Sequence, residues 1–234
     1  MKRRNQFVMG VILFLLIIVA LISSVQIVAY GDSEYKFYQK LYEKYTVVED
    51  LDMQMDDVMH VTKHMMAYLI GQEEELSIIV PVDGKEQDFF NEQDRLHMAD
   101  VRNLFIGGLQ VRTICVGIIG ILVVLLIIGK AEWKKLLVEV YGKVLGLLAG
   151  ILLFVVLACC IDFTACFTIF HKIFFTNDLW LFDPATDYMI RMLPEGFFVQ
   201  FAARIVEVFV AFLVVLTGIV VFVKKKISSA NKNI

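Results

Sequence analysis

Four long apolar blocks constrain the fold of this chain more than any other feature of its sequence. Each block can cross the hydrocarbon core of a bilayer as an α-helix, which takes about 20 residues. Hydrophobic residues make up 59% of the 234-residue chain, and a soluble fold of this size cannot hide so much apolar surface from water. The blocks lack the alternation of apolar and polar residues that membrane β-strands require. The sequence therefore predicts an all-α membrane protein with four transmembrane helices, over residues 7–29, 106–129, 136–161 and 205–223.

Basic residues flank these spans and predict their orientation. With four spans, three basic clusters fall on the same side of the membrane, and the positive-inside rule makes that side the cytoplasm, with both termini there. A cleaved signal peptide is the alternative for the first block, but its apolar core exceeds the usual length of about 7–15 residues and no small-residue cleavage site follows. The clusters are Lys2, Arg3 and Arg4; Lys130, Lys134 and Lys135; and Lys224, Lys225 and Lys226.

This topology divides the chain into eight segments. They are the cytoplasmic N-terminus with the first span (1–29), an acidic extracytoplasmic domain (30–105), the second span (106–129), a cytoplasmic link (130–135), the third span (136–161), an extracytoplasmic interfacial segment (162–204), the fourth span (205–223) and a cytoplasmic tail (224–234).

The first outer segment is predicted to be a small, mainly helical domain. Residues 30–103 contain 17 of the 25 acidic residues and only seven Lys or Arg. Apolar residues at helical spacing predict helices within residues 33–45 and 52–70, and Gly71 predicts the end of the second. Residues 76–90 read as a β-hairpin that turns at Asp83-Gly84, the dipeptide favoured in two-residue turns. From about Asn91 the helical pattern returns and runs into the second span.

The second outer segment is rich in aromatic residues scattered among polar ones, and Pro184 and Pro194 divide it into short pieces. It is too aromatic for a free loop and too polar for a fifth span. Because aromatic rings favour the membrane–water interface, an amphipathic or partly re-entrant interfacial segment fits best. Such a segment can also simply cap the helix bundle.

Composition and motifs exclude several classes of function. A net charge of −3 does not give the excess of basic residues that is typical of nucleic-acid-binding proteins. The four cysteines lie within or just beyond the spans, so a disulfide framework is not expected. The sequence contains no phosphate-binding loop, dinucleotide-binding glycine motif, C-x-x-C pair or serine in a nucleophile-elbow context.

All four histidines lie in the outer segments. His60 and His64 share one helix face, as a pair of zinc ligands would. However, Val61 follows His60, so the catalytic Glu of the zinc-protease motif H-E-x-x-H is missing. A zinc hydrolase is therefore an alternative that we disfavour, and no metal is expected.

His97 and His171 are stronger candidates for a chemical role than His60 and His64, because of where they lie relative to the spans. Counting about 20 residues back from Lys130 and about 23 forward from Lys135 puts the outer membrane boundary near Gln110 and near Ala158, so each histidine lies about 13 residues beyond it, on spans joined by a short link. The two side chains are therefore expected at similar depth, where imidazole is well suited to accept and return a proton near neutral pH. The alternative is a pair of interfacial histidines with structural hydrogen bonds.

Several stretches of the sequence resemble a known family. Residues 95–105, which contain His97 and Asp100, resemble its H-x-x-D-V segment, and residues 64–69 give a weaker match. Matching features of the second outer segment are residues 170–175 around His171, then Asn177, Trp180, residues 182–184 with Asp183, and Pro194. The family is the bacterial four-span integral membrane family that includes the lipoprotein intramolecular transacylase of Gram-positive bacteria. The resemblance covers nearly the whole chain.

This resemblance implies an acyltransferase of the bacterial cell membrane with its active site at the outer leaflet. Such enzymes move the sn-2 acyl chain of a diacylglyceryl-modified lipoprotein to the α-amino group of its N-terminal cysteine, which gives the lyso-form. Lipoproteins and membrane lipid are thus the expected partners. Neither a metal nor a soluble cofactor is expected, and the oligomeric state is not predicted.

The reaction that the resemblance implies gives the residues roles as hypotheses. His97 is the expected base for the amine, with Asp100 fixing its tautomer. His171 is expected to protonate the leaving glycerol oxygen or to stabilise the intermediate. The reverse order, and a transient acyl adduct on one histidine, stay open. The expected supporting residues are Asp100, Arg102, Asn177, Trp180 and Asp183.

The main alternative from another class is a non-enzymatic membrane sensor or interaction protein that uses its acidic outer domain. A transporter is disfavoured, because the spans carry no charged residue at mid-depth and show no inverted repeat.

Overall fold

The computed structural model describes residues 2–232. Within that range the chain forms nine helices and one two-stranded antiparallel sheet. In chain order the elements are α1 (Lys2–Tyr30), α2 (Lys36–Lys44), α3 (Val47–Leu51), α4 (Met55–Leu69), β1 (Ile79–Val82), β2 (Lys85–Asp88), α5 (Glu92–Ile128), α6 (Trp133–Ile161), α7 (Phe163–Phe174), α8 (Tyr188–Met192) and α9 (Glu195–Lys232).

Four of these helices, α1, α5, α6 and α9, are long and apolar enough to cross a membrane. They coincide with the four predicted spans, so the prediction of a multi-pass, all-α membrane protein is confirmed. Three of the helices extend well beyond the apolar blocks, since α1 begins at Lys2, α5 at Glu92 and α9 at Glu195. α5, for example, begins at Glu92, as expected from the helical pattern after Asn91.

The chain divides into two compact units. The first contains the chain up to Val25, Gln110–Ile161 and the chain from Ile205 onward. Its buried core is small and apolar, and includes Leu13, Leu126 and Tyr141. Many of its large apolar side chains are exposed, Phe154 for 73% of its surface, which is the pattern expected of a surface that faces lipid.

The second unit combines Gln26–Leu109 with Asp162–Arg204. Its core is a single cluster to which α2, α4, the hairpin, α8 and the start of α9 all contribute. Tyr42 is fully buried there, and its hydroxyl lies 2.7 Å from the Thr62 hydroxyl. Ring stacking of Tyr42 on Phe197, with centroids 5.9 Å apart, joins the two stretches of chain that form this unit.

Local sequence signals explain the elements of this unit. Gly71 ends α4 with a φ of 80°, and the Gln72 and Gly71 N–H groups donate to the carbonyls of Ala67 and Tyr68, which is a Schellman cap. The predicted hairpin is also confirmed: strands β1 and β2 pair from Ile79↔Asp88 to Val82↔Lys85. Asp83 and Gly84 both have positive φ (47° and 71°), as the turn between them requires.

Two elements of the second unit were missed by the sequence reasoning. Helices α3 and α8 have only five residues each, too few for a periodic pattern to be recognised. The aromatic segment contains a regular helix, α7, capped by the Asp162 side chain, which accepts a hydrogen bond from the Ala165 N–H.

Candidate active site

The first turn of α5 sets the position of His97. Asn91 and Asp94 form a reciprocal cap: the Asn91 N–H donates to the Asp94 carboxylate at 3.0 Å, and the Asp94 N–H donates to the Asn91 side-chain oxygen at 2.9 Å. His97 lies about one turn further along the helix and is only 6% exposed. The cap therefore fixes where the helix begins, and with it the direction in which the imidazole points.

His171 lies near the end of α7 and is 7% exposed. Its Nδ1 is 2.7 Å from the carbonyl oxygen of Phe167, one turn earlier. A carbonyl only accepts hydrogen bonds, so Nδ1 carries the proton and donates it in this contact. In the neutral ring, Nε2 is then the basic nitrogen.

The structure brings the two histidines together inside an aromatic enclosure. Their ring centroids are 6.1 Å apart and their planes differ by 28°. Phe175 contacts both rings, at 5.1 Å from His97 and 5.5 Å from His171. Phe182 lies 5.3 Å from His97, while Trp180 stacks on His171 at 4.9 Å.

This environment keeps both imidazoles neutral near pH 7. Burial lowers the pKa of His97 from 6.5 to about 4; the neighbouring His171 lowers it further and the Asp100 charge opposes the shift. Burial also lowers the pKa of His171, against the opposing effect of its hydrogen bond to the Phe167 carbonyl. Each neutral ring therefore has one nitrogen that can donate a hydrogen bond and one that can accept one.

Three of the predicted supporting residues meet beside the histidine pair. The Asn177 side-chain amide donates to the Asp100 carboxylate at 2.9 Å, and the Trp180 indole N–H donates to the Asn177 carbonyl at 2.9 Å. Asp100 was expected to fix the tautomer of His97 through a hydrogen bond. Instead, Nδ1 of His97 has no hydrogen-bond partner among residues 2–232, and Asp100 acts on this ring through its charge.

The other two predicted supporting residues make structural contacts. The Arg102 guanidinium lies over the ring of Tyr68 at 4.6 Å, and its Nη1 donates to the Glu74 carbonyl at 3.4 Å. Asp183 shapes the turn before α8, where its carboxylate accepts from the Ala185 N–H and its carbonyl from the Asp187 N–H. No hydrogen bond or ring contact described for residues 2–232 joins Arg102 or Asp183 to either imidazole.

The structure also bears on the zinc-site alternative and on the cysteines. His60 is exposed on α4. In the described part of the chain, no group of three or more His, Cys, Asp or Glu side chains is arranged to hold a metal ion. None of the four cysteines, all of which lie in the described residues, forms a disulfide bond.

No pattern in the sequence gives a role to Gln93 or to three phenylalanines that contact the histidine rings, Phe167, Phe175 and Phe182. The phenylalanines stand out in the sequence only as members of an aromatic segment and, for Phe175 and Phe182, as members of the stretches that resemble the family. Gln93 had no sequence signal, because its partners are main-chain carbonyls more than 80 residues away along the chain.

Comparisons with known proteins agree with this architecture. The family model for the lipoprotein intramolecular transacylase Lit matches residues 10–198. A solved structure of the membrane-integral lipoprotein intramolecular transacylase Lit from Bacillus cereus is 21% identical, with a TM-score of 0.76 over 98% of this chain and 100% of that one.

Two variant structures of the same Bacillus cereus protein also match this chain. In one variant a histidine is replaced by arginine, and in the other by alanine; both are 20% identical to this chain with TM-scores of 0.70. The first covers 98% of this chain and 96% of its own, and the second 97% of both. No match to a curated protein sequence was found. Because the family model matches well over half of its residues, the chain belongs to the lipoprotein intramolecular transacylase family.

Proposed function

We propose that this chain converts diacylglyceryl lipoproteins into the lyso-form by intramolecular acyl transfer. The α-amino nitrogen of the lipidated N-terminal cysteine attacks the carbonyl carbon of the sn-2 ester. A C–N amide bond forms, the C–O ester bond breaks, and the proton lost by the amine ends on the glycerol oxygen. The observation that carries the proposal is a close pair of buried, neutral imidazoles in a member of this transacylase family.

The site suits a substrate that stays in the membrane. Helix α7 buries His171 on one side and exposes Ile169, Ile173 and Phe174 for 51–70% of their surface on the other. Such a helix favours the membrane–water interface. With the termini in the cytoplasm, as the basic clusters predict, His97 and His171 would face the outer leaflet, where exported lipoproteins are anchored.

His171 is the better base of the pair. A general base works best when its pKa lies near the working pH. The pKa of His97, about 4, makes that ring a poor proton acceptor, whereas Nδ1 of His171 donates to the Phe167 carbonyl and leaves Nε2 as the basic nitrogen of that ring. Nε2 of His171 would take the proton of the attacking amine as the C–N bond forms. It would return that proton to the glycerol oxygen as the C–O bond breaks. The sequence alone had favoured His97 for this role and left the reverse order open.

His97 is then assigned the role of stabilising the oxyanion, the negatively charged oxygen of the tetrahedral intermediate. Its ring stays neutral, so one ring nitrogen keeps a proton that can be donated to the oxygen of the tetrahedral intermediate. A hydrogen bond aimed at developing negative charge in a water-poor site contributes about 3–4 kcal/mol in known enzymes. Since donor ester and acceptor amine belong to one molecule, holding them in contact supplies a further large part of the acceleration.

Replacing each histidine tests this proposal. Membranes carrying His97→Gln or His171→Gln are compared with wild type for lyso-form production, measured by mass spectrometry of a reporter lipoprotein. We expect a loss of roughly 100-fold or more for each variant, the scale of a lost acid–base group. His60→Gln is the matched control, because His60 is an exposed histidine on α4. Wild-type rates in both site variants, at equal protein levels, would refute the assignment.

A further inference from the structure

The Gln93 side chain, in the first turn of α5, makes two hydrogen bonds to a distant part of the main chain. Its Nε2 donates to the carbonyl oxygens of Leu179 at 3.1 Å and Leu181 at 3.0 Å. These two residues are the chain neighbours of Trp180. One amide group therefore uses both of its hydrogens to hold the main chain on either side of that tryptophan.

Trp180 is restrained by its own side chain as well. The indole N–H donates to the Asn177 carbonyl, which limits rotation of the ring. The indole face lies on the imidazole of His171, with centroids 4.9 Å apart and planes 29° apart. The position of the indole thus determines what covers one face of His171.

A second tether attaches the same segment to α5. The Asn177 side-chain amide donates to the Asp100 carboxylate at 2.9 Å. We call residues 177–182 the strap. Residues 93, 97 and 100 of α5 follow an i, i+4, i+7 spacing and share one face of the helix. The two tethers therefore flank His97, about one turn away on either side.

We propose that Gln93 is a positioning residue for the acyl transfer, because it holds Trp180 against His171 and so fixes the imidazole plane relative to His97. The effect on rate rests on the proposed function. Both hydrogens of the Gln93 amide are donated to main-chain carbonyls, so the side chain has no further hydrogen to donate to a substrate. Its loss is therefore expected to lower kcat and to leave KM nearly unchanged.

The test replaces Gln93 by Glu, which keeps the size of the side chain but places an acceptor against two carbonyl oxygens. Gln87→Glu is the matched control: the Gln87 amide also donates to two oxygens in the same unit, the Val82 carbonyl and the Tyr188 hydroxyl. The chain has two tryptophans, so a Trp133→Phe background leaves Trp180 as the only indole fluorophore. Turnover, emission and acrylamide quenching are measured on the full-length protein in detergent.

We expect Gln93→Glu to lower kcat about tenfold, which is about 1.4 kcal/mol. KM should change by less than about twofold. The emission of Trp180 should shift to longer wavelength and its quenching by acrylamide should increase, because the indole leaves His171 and meets water. Gln87→Glu should show none of these changes.

Three results would overturn the inference: unchanged Trp180 fluorescence in Gln93→Glu, altered fluorescence with unchanged kcat, or equal losses in Gln87→Glu. A wild-type protein without transacylase activity would instead refute the proposed function. In that case the fluorescence comparison would still decide whether Gln93 holds Trp180 in place.

Discussion

Acidification should destabilise this protein through His97, by an amount that follows from its burial. The pKa of His97 falls from 6.5 to about 4 in the folded protein, with burial as the largest cause. The unfolded chain therefore binds this proton more tightly than the folded one. The stability linked to neutral His97 is complete above pH 6.5 and is lost as the pH falls from 6.5 to about 4. The whole loss is about 3 kcal/mol, of which about 2 kcal/mol has occurred by pH 5.

The measurement compares the free energy of unfolding of wild type and His97→Gln at pH 7 and pH 5. Unfolding is followed by circular dichroism as the SDS content of mixed micelles is raised. Burying the Gln amide has a cost that does not depend on pH, so it cancels in the comparison between the two pH values. Wild type should lose about 2 kcal/mol more than the variant. An equal pH dependence in both proteins would refute the reasoning, because His97 would then not be protonated at a cost to the fold.

Two further predictions use the same unfolding assay. Burial raises the pKa of Asp94 to about 6, so ionising this carboxyl lowers the free energy of unfolding as the pH rises. Between pH 5 and 7 this loss of stability is about 1 kcal/mol, and Asp94→Asn should remove it. The same pH dependence in Asp94→Asn as in wild type would contradict this. Tyr42→Phe removes the buried hydroxyl that lies 2.7 Å from Thr62 and should cost about 1 kcal/mol while leaving transacylase turnover at the wild-type level. A large loss of turnover in well-folded Tyr42→Phe would be evidence against a purely structural role.

The membrane architecture was predictable because hydrocarbon imposes one dominant requirement on the chain. Backbone groups in lipid must be hydrogen-bonded within their own segment, so a sufficiently long apolar block becomes a helix whatever surrounds it. The apolar blocks did not reveal how far the helices extend. α9 begins at Glu195, ten residues before the predicted fourth span, because its first turns bury Phe197 in the core of the second unit.

Turns and caps were predictable where one residue type meets a local steric demand. Gly71 and the Asp83-Gly84 pair occupy positive-φ positions that few other residues accept without strain. The five-residue helices α3 and α8 carry no comparable signal, since their position depends on tertiary contacts. One example is Arg191 of α8, whose guanidinium pairs with Asp50 at 2.9 Å and Asp83 at 3.0 Å.

The site was predictable in outline only. Counting residues from the basic clusters placed His97 and His171 at similar depth, and their rings do lie 6.1 Å apart. Two contacts depend on where an irregular segment returns to α5. They are the hydrogen bond between Asn177 and Asp100 and the hydrogen bonds between Gln93 and the strap. No periodic pattern encodes that return, so neither contact could be read from the sequence.

The central claim is that one lipoprotein supplies both the acyl chain and the amine. Purified protein is given a mixture of two diacylglyceryl lipopeptides that differ in peptide mass, one of which carries an isotope label in its sn-2 acyl chain. Tandem mass spectrometry then locates the label in each product. We predict lyso-form products in which every N-acyl chain stays with its original peptide, formed by wild type and by neither histidine variant. Exchange of the label between the two peptides, or products from the His97→Gln and His171→Gln variants at the wild-type rate, would contradict the account.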